Sequence, residues 1–378
     1  MENFIAYNPV KIHFGKGVLN QLGETAAQYG KRALLVMGKG SVKRIGIYDV
    51  VLNQLEAAGI EIIEFSGIKP NPLIDDVRNA ASLGIEKDVE LVIGLGGGSV
   101  IDSSKIIAAA IAEKSDAWEI VSRQIRQDKA LPVISILTLA ATGTEMNQFG
   151  VIQNPETREK IGYGHPSLYP RHSFLDPQYT TSVDNKNTAY GITDLMAHAM
   201  ESYFGIGEAP LADAYIIAIL KEAIAIAQPL LNNLHDYDLR ARMMWAATNA
   251  LNGYPSYGRK MGDWAVHGLG HPISMLFDTP HGATLSIVYP AWMSFLSNHQ
   301  PDRIAHLGKE VFQVNGVEES IQAFKDFFKS IGTPTSLEDA SITGNQRNML
   351  LELWIEKGAR GNLFELKRED YEFLLSKI

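Results

Sequence analysis

Apolar and polar positions are arranged in two different ways along this chain. In the first half, four short apolar runs stand between segments with helical spacing, at positions 33–37, 61–65, 91–94 and 133–137. Such runs predict buried strands, and strands separated by single helices are typical of a parallel α/β sheet. The pattern therefore predicts a Rossmann-like α/β fold for this half.

The pattern changes near Asn187. Long segments rich in Ala, Leu and Met follow with apolar residues at helical spacing, most clearly at 211–227 and 239–251, and no convincing strand run comes after them. Turn-forming residues around Pro177 end the α/β pattern, and Asp184 is placed to cap the next helix. We predict an α/β domain over residues 1–183 and an all-α domain over residues 184–378, with a ligand-binding cleft between them.

Composition narrows the possible partners. The chain has 43 acidic and 34 basic residues, a net charge of −9 and no lysine or arginine block, which argues against nucleic acid or an anionic membrane as a partner. The absence of cysteine excludes disulfides, thiolate metal sites and cysteine nucleophiles, and it fits a cytoplasmic protein. The sequence starts without a signal-like pattern, and Lys221 and Glu222 interrupt its most apolar helical stretch. We expect neither secretion nor membrane insertion.

Glycines stand where the run at 91–94 leads into a helix. Gly97, Gly98 and Ser99 occupy a position that favours phosphate binding, because glycine lets the backbone approach a pyrophosphate and a helix N-terminus stabilises its charge. The segment is not the GxGxxG fingerprint, since Ser99 takes the sixth place, and a tight structural turn is the alternative. Asp102 and Lys105 follow in the first turns of the helix, where they either reach a ribose or amide or merely cap and pair with each other.

A second glycine turn, Gly38-Lys39-Gly40-Ser41, ends the first strongly apolar strand. An adenosine ribose lies at this place in many doubly wound sheets. An acidic residue here would repel a 2′-phosphate, whereas Lys39 and Ser41 favour NADP(H) over NAD(H). A solvated loop charge is the alternative explanation of Lys39.

Carboxylate and imidazole side chains recur at helical spacing in the second half. Asp194 and His198 are four residues apart in a strongly helical segment, so they project from one helix face. His267 and His271 repeat the spacing, and His281 follows. Each pair has a structural explanation as satisfied core residues, and the clustering of three histidines makes that explanation weaker.

The chemistry of these side chains suits a metal. One carboxylate and three neutral imidazoles form a mixed oxygen and nitrogen site for Fe²⁺ or Zn²⁺, with an open position at which a substrate oxygen is polarised. The remaining histidine of the cluster is available to move protons near neutral pH. Glu201, three residues after His198, is either a hydrogen-bond partner of a ligand or simply the next polar residue on that face.

Taken together, several ordered motifs resemble the iron-containing (group III) alcohol dehydrogenase family, and most closely its NADPH-dependent butanol dehydrogenase and aldehyde reductase branch. The resemblance covers nearly the whole chain. The motifs that carry it are Tyr7-Asn8-Pro9, Phe14-Gly15-Lys16-Gly17, Gly67-Ile68-Lys69-Pro70-Asn71-Pro72, Gly96-Gly97-Gly98-Ser99-Val100-Ile101-Asp102, Ala141-Thr142-Gly143-Thr144-Glu145-Met146-Asn147, Gly191-Ile192-Thr193-Asp194-Leu195-Met196-Ala197-His198, Val266-His267-Gly268-Leu269-Gly270-His271-Pro272 and His281-Gly282.

The resemblance implies a dehydroquinate synthase-like two-domain architecture and roles for named residues. It implies that the metal ligands are Asp194, His198, His267 and His281, and that His271 lies beside them as a catalytic residue without binding the metal. The cofactor-binding residues that it implies are Gly38, Lys39, Gly40, Ser41, Asn71, Gly97, Gly98, Ser99, Asp102, Thr138, Leu139, Thr142 and Lys160. Among these, Gly97, Gly98 and Ser99 hold the pyrophosphate, Asp102, Thr138 and Thr142 line the nicotinamide side, and Lys160 approaches a ribose or phosphate.

The implied activity is hydride transfer between nicotinamide C4 and a metal-bound primary alcohol or aldehyde, with a butanol-like substrate. Members of the family that prefer NAD tend to carry Asp where this chain has Lys39, so we expect NADP(H) and the reductive direction. The alternatives are a lyase similar to dehydroquinate synthase, an enzyme similar to glycerol dehydrogenase, and a non-catalytic nucleotide-binding or metal-binding protein. The β-prone segment from Phe4 to Phe14 predicts a homodimer in which it pairs with an edge strand of the other subunit.

Overall fold

The computed structural model describes all 378 residues, which form eight strands and fifteen α-helices. The strands are β1 Lys11–Phe14, β2 Arg32–Met37, β3 Glu61–Ser66, β4 Leu91–Gly96, β5 Val133–Leu137, β6 Phe149–Asn154, β7 Glu159–Gly164 and β8 His172–Leu175. The helices of the first half are α1 Leu22–Ala26, α2 Ser41–Arg44, α3 Ile47–Ala57, α4 Ile74–Glu86, α5 Gly98–Glu113 and α6 Ala117–Val121.

The second half contains helices only. They are α7 Asn185–Tyr203, α8 Pro210–Asn232, α9 Tyr237–Ala250, α10 Ala265–Phe277, α11 His281–Leu296, α12 Pro301–Phe312, α13 Val317–Ser330, α14 Asn345–Lys357 and α15 Arg368–Lys377. Short 3₁₀ turns occur at Val18–Gln21, Thr144–Met146, Pro166–Leu168, Pro177–Thr180 and Tyr254–Ser256. As expected, Asp184 caps α7, because its carboxylate accepts from the backbone N–H of Asn187 at 2.8 Å.

Six strands form one parallel sheet in the order β1-β8-β5-β4-β2-β3, and β6 and β7 form a separate antiparallel pair. The four strands predicted from apolar runs are confirmed, and the parallel α/β prediction with them. Strand β8 escaped prediction because His172 and Ser173 interrupt its apolar character. Both are nevertheless buried and hydrogen-bonded, with Ser173 Oγ donating to the carbonyl of Glu145 at 2.6 Å.

The N-terminal segment differs from its prediction. Within Phe4–Phe14, only Lys11–Phe14 becomes a strand, and it pairs with β8 of the same chain in the register Lys11↔His172 to Phe14↔Leu175. One side of β1 is therefore paired within the chain, and the predicted pairing with another subunit stays a prediction. The other side of β1 is an open edge of the sheet.

The chain folds into two compact units that are each discontinuous in sequence. One unit contains the sheet and comprises Tyr7–Val183 and Leu234–Thr248, and the other is helical and comprises Met1–Ala6, Asp184–Asn233 and Asn249–Ile378. Most of α9 thus belongs to the same unit as the sheet, whereas the predicted boundary at residue 183 would place it in the helical domain. Hydrogen bonds explain this: Arg240 donates to the carbonyl of Val183 at 2.8 Å.

Helix α8 is the one helix that is long and apolar enough to cross a membrane when judged by length and composition alone. The same test is passed by core helices of globular proteins. In this structure α8 packs against α7 inside the helical unit, and residues such as Ile216, Leu220 and Ala223 are fully buried there. The helix does not indicate a membrane protein.

Candidate cofactor and metal site

The residues predicted to bind the cofactor gather at one edge of the parallel sheet. The carboxyl ends of β5, β4, β2 and β3 are neighbours there, and the crossover direction reverses between β2 and β4, which is where open α/β sheets bind ligands. The residues that follow these strands are Gly38, Lys39, Gly40 and Ser41 after β2, Asn71 after β3, Gly97, Gly98 and Ser99 after β4, and Thr138, Leu139 and Thr142 after β5.

The turn between β4 and α5 has the close packing that glycine permits. Gly97 is the N-cap residue in an extended conformation, and the helix begins at Gly98. A Cβ atom on Gly98 would lie 2.7 Å from the Thr142 side chain, and one on Gly97 would lie 3.3 Å from Leu139 Cβ. The loop after β5 therefore lies directly against the first turn of α5, whose leading amides have no partner within the helix. This arrangement suits a pyrophosphate.

The loop after β2 leaves its polar side chains in solvent. Lys39 and Ser41 are exposed, and Gly40 between them has φ of 127°, a conformation that glycine adopts without strain. Nearby, Asn71 is buried with φ of 54° and accepts from Lys160 Nζ at 2.9 Å. Two residues predicted from distant parts of the sequence are thus in direct contact.

Asp102 is less available to a ligand than the sequence suggests. Its carboxylate accepts from Thr144 Oγ1 at 2.6 Å and from the backbone N–H of Val151 at 3.0 Å, and the residue is buried. Burial raises the pKa of Asp102, and the nearby charge of Lys105 and these two hydrogen bonds oppose that shift. The carboxylate therefore anchors the loop after β5 and the strand β6, and its role towards a nicotinamide stays a prediction.

Lys105 departs from both of its expected roles. Its side chain is fully buried, so it does not reach a ribose, and no direct ion pair joins it to Asp102. Instead its amine donates to oxygen atoms of Thr144, Asn147 and Phe149 at 2.7 to 3.1 Å. The Thr144 hydroxyl links the lysine to Asp102. Lys105 therefore fixes the segment that follows Thr142.

Burial dominates the electrostatics of this network. Desolvation lowers the pKa of Lys105 to about 8, while the carboxylates of Asp102 and Glu145 act in the opposite direction. Burial likewise raises the pKa of Glu145, whose carboxylate accepts from the Thr248 hydroxyl in α9. Sequence reasoning did not identify Thr144, Asn147 or Glu145 as supports, because a local motif does not show which side chains point inward.

The predicted metal ligands come together in the helical unit. Asp194 Oδ1 lies 3.6 Å from His198 Nδ1, 3.9 Å from His267 Nε2 and 3.7 Å from His281 Nε2. Ligand atoms of Asp194, His267 and His281 all lie within 4.8 Å of one another, and the rings of His198 and His267 stack at 4.7 Å. One carboxylate oxygen thus stands at the centre of three imidazoles.

Three helices supply these side chains, and glycines let the helices approach. Asp194 and His198 lie one turn apart on α7, His267 lies in the first turn of α10, and His281 begins α11. A Cβ atom on Gly282 would lie 2.4 Å from the carbonyl oxygen of Tyr190 in α7, and one on Gly270 would lie 2.8 Å from Thr284 Oγ1. Glycine at these two places is a condition for bringing the ligands together.

The charge state of the cluster fits a metal. Burial lowers the pKa of His198 well below its ordinary value, and the neighbouring His267 lowers it further, so the imidazole stays neutral as metal binding requires. The buried nitrogens His198 Nδ1 and His267 Nε2 have no hydrogen-bond partner. Nitrogen and oxygen donors of this kind suit iron or zinc, so the side chains present fit such an ion.

Glu201 orients one of the imidazoles. Its buried Oε1 atom accepts from the backbone N–H of His267 at 3.0 Å and from His267 Nδ1 at 3.0 Å. Because Nδ1 carries the proton in this contact, Nε2 is left as the lone-pair donor on the side of Asp194. Of the two explanations for Glu201, the structure supports the hydrogen-bond partner.

His271 lies at the edge of the cluster. Its ring centroid is 5.7 Å from that of His281 and 6.5 Å from that of His267, and the residue is only partly buried. His271 and His198 are both absent from the compact group formed by Asp194, His267 and His281, but His198 Nδ1 lies 3.6 Å from Asp194 Oδ1. This position is compatible with a group beside the metal.

Comparisons with known proteins cover both halves of the chain. Residues 9–177 match the family model for iron-containing alcohol dehydrogenase, and residues 188–378 match the model for the C-terminal part of the Fe-containing alcohol dehydrogenase family. The chain is 37% identical to NADH-dependent butanol dehydrogenase A of Clostridium acetobutylicum, with 96% of each chain covered. It is 34% identical to the NADPH-dependent aldehyde reductase YqhD of Escherichia coli, with 95% of this chain and 94% of that protein covered.

Solved structures agree. The crystal structure of NADH-dependent butanol dehydrogenase A from Thermotoga maritima superposes with a TM-score of 0.95 at 37% identity, covering 100% of this chain and 98% of that one. The structure of YqhD from Escherichia coli gives a TM-score of 0.93 at 32% identity, covering 99% and 98%. The chain therefore belongs to the iron-containing alcohol dehydrogenase family and is a metal-dependent, nicotinamide-linked alcohol and aldehyde oxidoreductase.

Proposed function

We propose that this protein reduces small to medium apolar aldehydes, such as butanal, with NADPH and one bound iron ion. The observation that carries the proposal is the cluster in which Asp194 Oδ1 lies 3.6 to 3.9 Å from nitrogens of three imidazoles, one of them oriented by Glu201. Such a donor set leaves room for a substrate oxygen beside the ion. The relatives named for butanol and for aldehydes support the substrate class.

The four ligand residues Asp194, His198, His267 and His281 would hold the ion. When bound, a divalent cation supplies a Lewis acid that polarises a carbonyl or alcohol oxygen. The protein's part is to keep the imidazole of His198 neutral by burial and to place a single carboxylate among the three imidazoles. The first turn of α5 and the loops after β2 and β5 would hold the cofactor that supplies or accepts the hydride.

His271 is proposed to move the proton that the carbonyl oxygen gains on reduction. Its ring, 5.7 Å from that of His281 at the edge of the cluster, supports this role. The variant His271→Ala should keep stoichiometric metal and lose turnover, with a changed pH–rate profile. Loss of the metal in this variant would instead make His271 a ligand, and an unchanged profile would remove the proton-transfer role.

The preference for NADPH rests on Lys39 and Ser41. The relatives do not decide it, because butanol dehydrogenase A is named for NADH and YqhD is named for NADPH. An exposed lysine at the end of β2 offers a charge to a 2′-phosphate. The variant Lys39→Asp should lower kcat/KM for NADPH. The ratio of kcat/KM with NADH to kcat/KM with NADPH should rise by on the order of tenfold or more. The control is Arg171→Ala, because Arg171 is an exposed basic residue outside the predicted cofactor loops.

Reconstitution tests the proposal as a whole. Metal-free protein loaded separately with Fe²⁺ and Zn²⁺ is assayed for NADPH and NADH oxidation with a series of aldehydes of increasing chain length. We expect turnover with both aldehyde and metal present and the highest rate with Fe²⁺. Conversion of substrate without net NADPH consumption would overturn the dehydrogenase assignment, and higher activity with Zn²⁺ would overturn the choice of iron.

We also propose a homodimer. The open edge of β1 and the exposed side chains of Met1, Phe4 and Ile5 offer apolar surface and unpaired backbone groups near the N-terminus. Sedimentation analysis of the full chain should give twice the monomer mass. A monomer over the whole concentration range would refute the dimer.

A further inference from the structure

One bulky residue beside the predicted metal ligands has a backbone conformation that bulky residues avoid. Trp264 is the N-cap residue of α10, with φ of 64° and ψ of 14°, in the left-handed region. N-cap residues normally take an extended conformation, and the left-handed one costs free energy in any residue with a Cβ atom. Trp264 is the only aromatic residue among the nine non-glycine residues with positive φ. Such strain persists only where surrounding contacts enforce it.

The segment after α14 supplies contacts that enforce this conformation. The backbone N–H of Asn362 donates to the carbonyl of Asp263 at 2.6 Å, and its side-chain amide donates to the carbonyl of Gly262 at 3.1 Å. Gly361 lies so close that a Cβ atom on it would collide with the carbonyl oxygen of Asp263. The two residues that precede Trp264 are therefore fixed by a part of the chain about 100 positions away.

The turn places the indole ring of Trp264 against two of the predicted ligands. The indole centroid lies 5.4 Å from the imidazole centroid of His267, with the planes at 62°, and 6.3 Å from that of His198, with the planes at 57°. The two imidazoles stack on each other at 4.7 Å. Rotation of either imidazole would therefore disturb its contact with the indole.

The indole lies on the closed side of the cluster. The side chains of His198 and His267 are 6% and 10% exposed, whereas that of His281 is 24% exposed. The open side, where a substrate has access, is thus the side of His281. The indole is placed to hold ligands and to exclude water from behind them.

We propose that Trp264 is a positioning residue of the metal centre, whose indole ring holds the imidazoles of His198 and His267 in the orientation that binds the ion. The inference rests on the proposed metal centre. Imidazoles that already point at the ion lose less conformational freedom when they bind it, so the indole raises the metal affinity. The left-handed turn is strained because that conformation brings the ring to this place.

Three substitutions at Trp264 separate the ring from the backbone. Trp264→Phe keeps an aromatic ring, so the dissociation constant for Zn²⁺, measured on metal-free protein with a competing chelator, should stay within about threefold of wild type. Trp264→Ala and Trp264→Gly remove the ring, and both should bind Zn²⁺ more weakly by on the order of tenfold or more. In urea, metal-free Trp264→Gly should nevertheless unfold at a higher concentration than Trp264→Ala, because glycine adopts a positive φ without steric cost.

The ranking of the variants distinguishes positioning from mere filling of space. An indole that only filled space would make Zn²⁺ affinity follow stability, so clearly tighter binding by Trp264→Gly than by Trp264→Ala would overturn the inference. Binding by Trp264→Phe as weak as that of Trp264→Ala would overturn it too, as would wild-type affinity in all three variants. Trp264→Ala at least as resistant to urea as Trp264→Gly would contradict the enforced left-handed turn.

Trp245→Ala is the control, because it removes a tryptophan that contacts Phe14 in the other unit. Its dissociation constant for Zn²⁺ should equal that of wild type, and weaker binding would show that loss of any tryptophan has this effect. Wild-type protein that binds no Zn²⁺ would overturn the proposed metal centre. That result differs from wild-type protein that binds Zn²⁺ no better than Trp264→Ala, which would overturn only the role of Trp264.

Discussion

The predicted cofactor site of the sheet-containing unit and the predicted metal site of the helical unit use different chemical groups of the chain. At the sheet edge, the groups that would meet a pyrophosphate are backbone amides, and glycines such as Gly97 and Gly98 serve by having no side chain. In the helical unit the ligands are side chains, and glycines such as Gly282 serve by letting two helices approach. The same residue type therefore has a local purpose in one unit and a tertiary purpose in the other.

This difference explains what each site needs for support. The loop after β5 is fixed by a buried cation, because Lys105 donates to carbonyl and side-chain oxygens of the segment after Thr142. The imidazole of His267 is fixed by a buried carboxylate, because Glu201 accepts from it. Backbone carbonyls require a donor and protonated imidazole nitrogens require an acceptor, so the sign of the supporting charge follows from the group that it holds.

The largest expected effect comes from removing a ligand. His267→Ala should reduce metal content to background and kcat/KM by on the order of a thousandfold or more, because the ion loses a donor and the side chain that Glu201 orients. Metal analysis and steady-state kinetics measure both quantities. NADPH affinity, followed by fluorescence, should remain within a few-fold of wild type. A variant with one metal per chain and full activity would refute the ligand assignment.

A substitution at the sheet edge should have the opposite effect, because it should weaken NADPH binding and leave the metal content unchanged. In Gly98→Ala the new Cβ atom would lie 2.7 Å from the Thr142 side chain, so the loop after β5 must move away from the first turn of α5. Overpacking of this kind costs about 1–3 kcal/mol, which corresponds to NADPH binding weaker by roughly 10- to 100-fold. Metal content should stay at the wild-type level.

Gly162→Ala is the matched control for that change. A Cβ atom on Gly162 in β7 would meet only Val151 Cγ2, at an ordinary 4.0 Å. We expect its NADPH affinity and metal content to equal those of wild type. Equal NADPH affinity in Gly98→Ala and Gly162→Ala would show that the β4–α5 turn does not hold the cofactor.

The two sites also differ in how much of each could be predicted from the sequence. The strand at 91–94 and the glycines after it are contiguous, so one local pattern predicted both the turn and its place at a strand end. The spacing of Asp194 and His198 predicted a shared helix face, but nothing in the sequence gave the distance from that face to His281. That distance depends on how closely α7 and α11 pack, and the resemblance to a known family implied only that His281 is a ligand.

The supporting residues were the hardest to predict. Lysine is usually a surface residue, and only the position of Lys105 on the inner face of α5 makes it a buried donor. A residue whose role depends on partners 40 or more positions away leaves no local periodicity, as Lys105 and Phe149 illustrate at a separation of 44.

The third prediction tests the buried cation, Lys105, that supports the loop after β5. Lys105→Met keeps the length of the side chain and removes every donor, leaving buried oxygens of Thr144, Asn147 and Phe149 without it. Loss of one member of such a buried charged network costs about 3–5 kcal/mol in the free energy of unfolding, as measured with urea. Lys43→Met is the control, because Lys43 is exposed and its ion pair with Glu64 spans 3.8 Å.

The pH dependence of Lys105→Met sharpens this test. Burial lowers the pKa of Lys105 to about 8 from its ordinary value of 10.5, so between these values the unfolded chain binds more protons than the folded one. Stability from this group therefore rises with pH across that window. The stability difference between wild type and Lys105→Met should grow from pH 8 to pH 10, and a constant difference would contradict a depressed folded-state pKa.

The smallest expected effect concerns two buried histidines whose ring nitrogens, unlike those of the predicted metal ligands, all have hydrogen-bond partners. At the β1–β8 edge, His13 Nε2 lies 2.9 Å from His172 Nδ1, His13 Nδ1 lies 3.1 Å from Gln21 Oε1, and His172 Nε2 lies 3.0 Å from the hydroxyl of Tyr29. The amide oxygen accepts from His13, His13 accepts from His172, and His172 accepts from Tyr29. Every nitrogen has a partner, so these neutral imidazoles are structural.

Acid should reveal that role. Burial lowers the pKa of both His13 and His172 from 6.5, so below that pH the unfolded chain binds more protons and folded-state stability falls as the pH drops. His172→Gln keeps hydrogen-bonding groups and does not titrate, so it should unfold at lower pH than wild type and differ from it by only about 1 kcal/mol at pH 7. The exposed His235 provides the control His235→Gln, which should leave the acid transition unchanged. If His172→Gln also lost the metal, the separation between histidines satisfied by each other and histidines left open for an ion would be wrong.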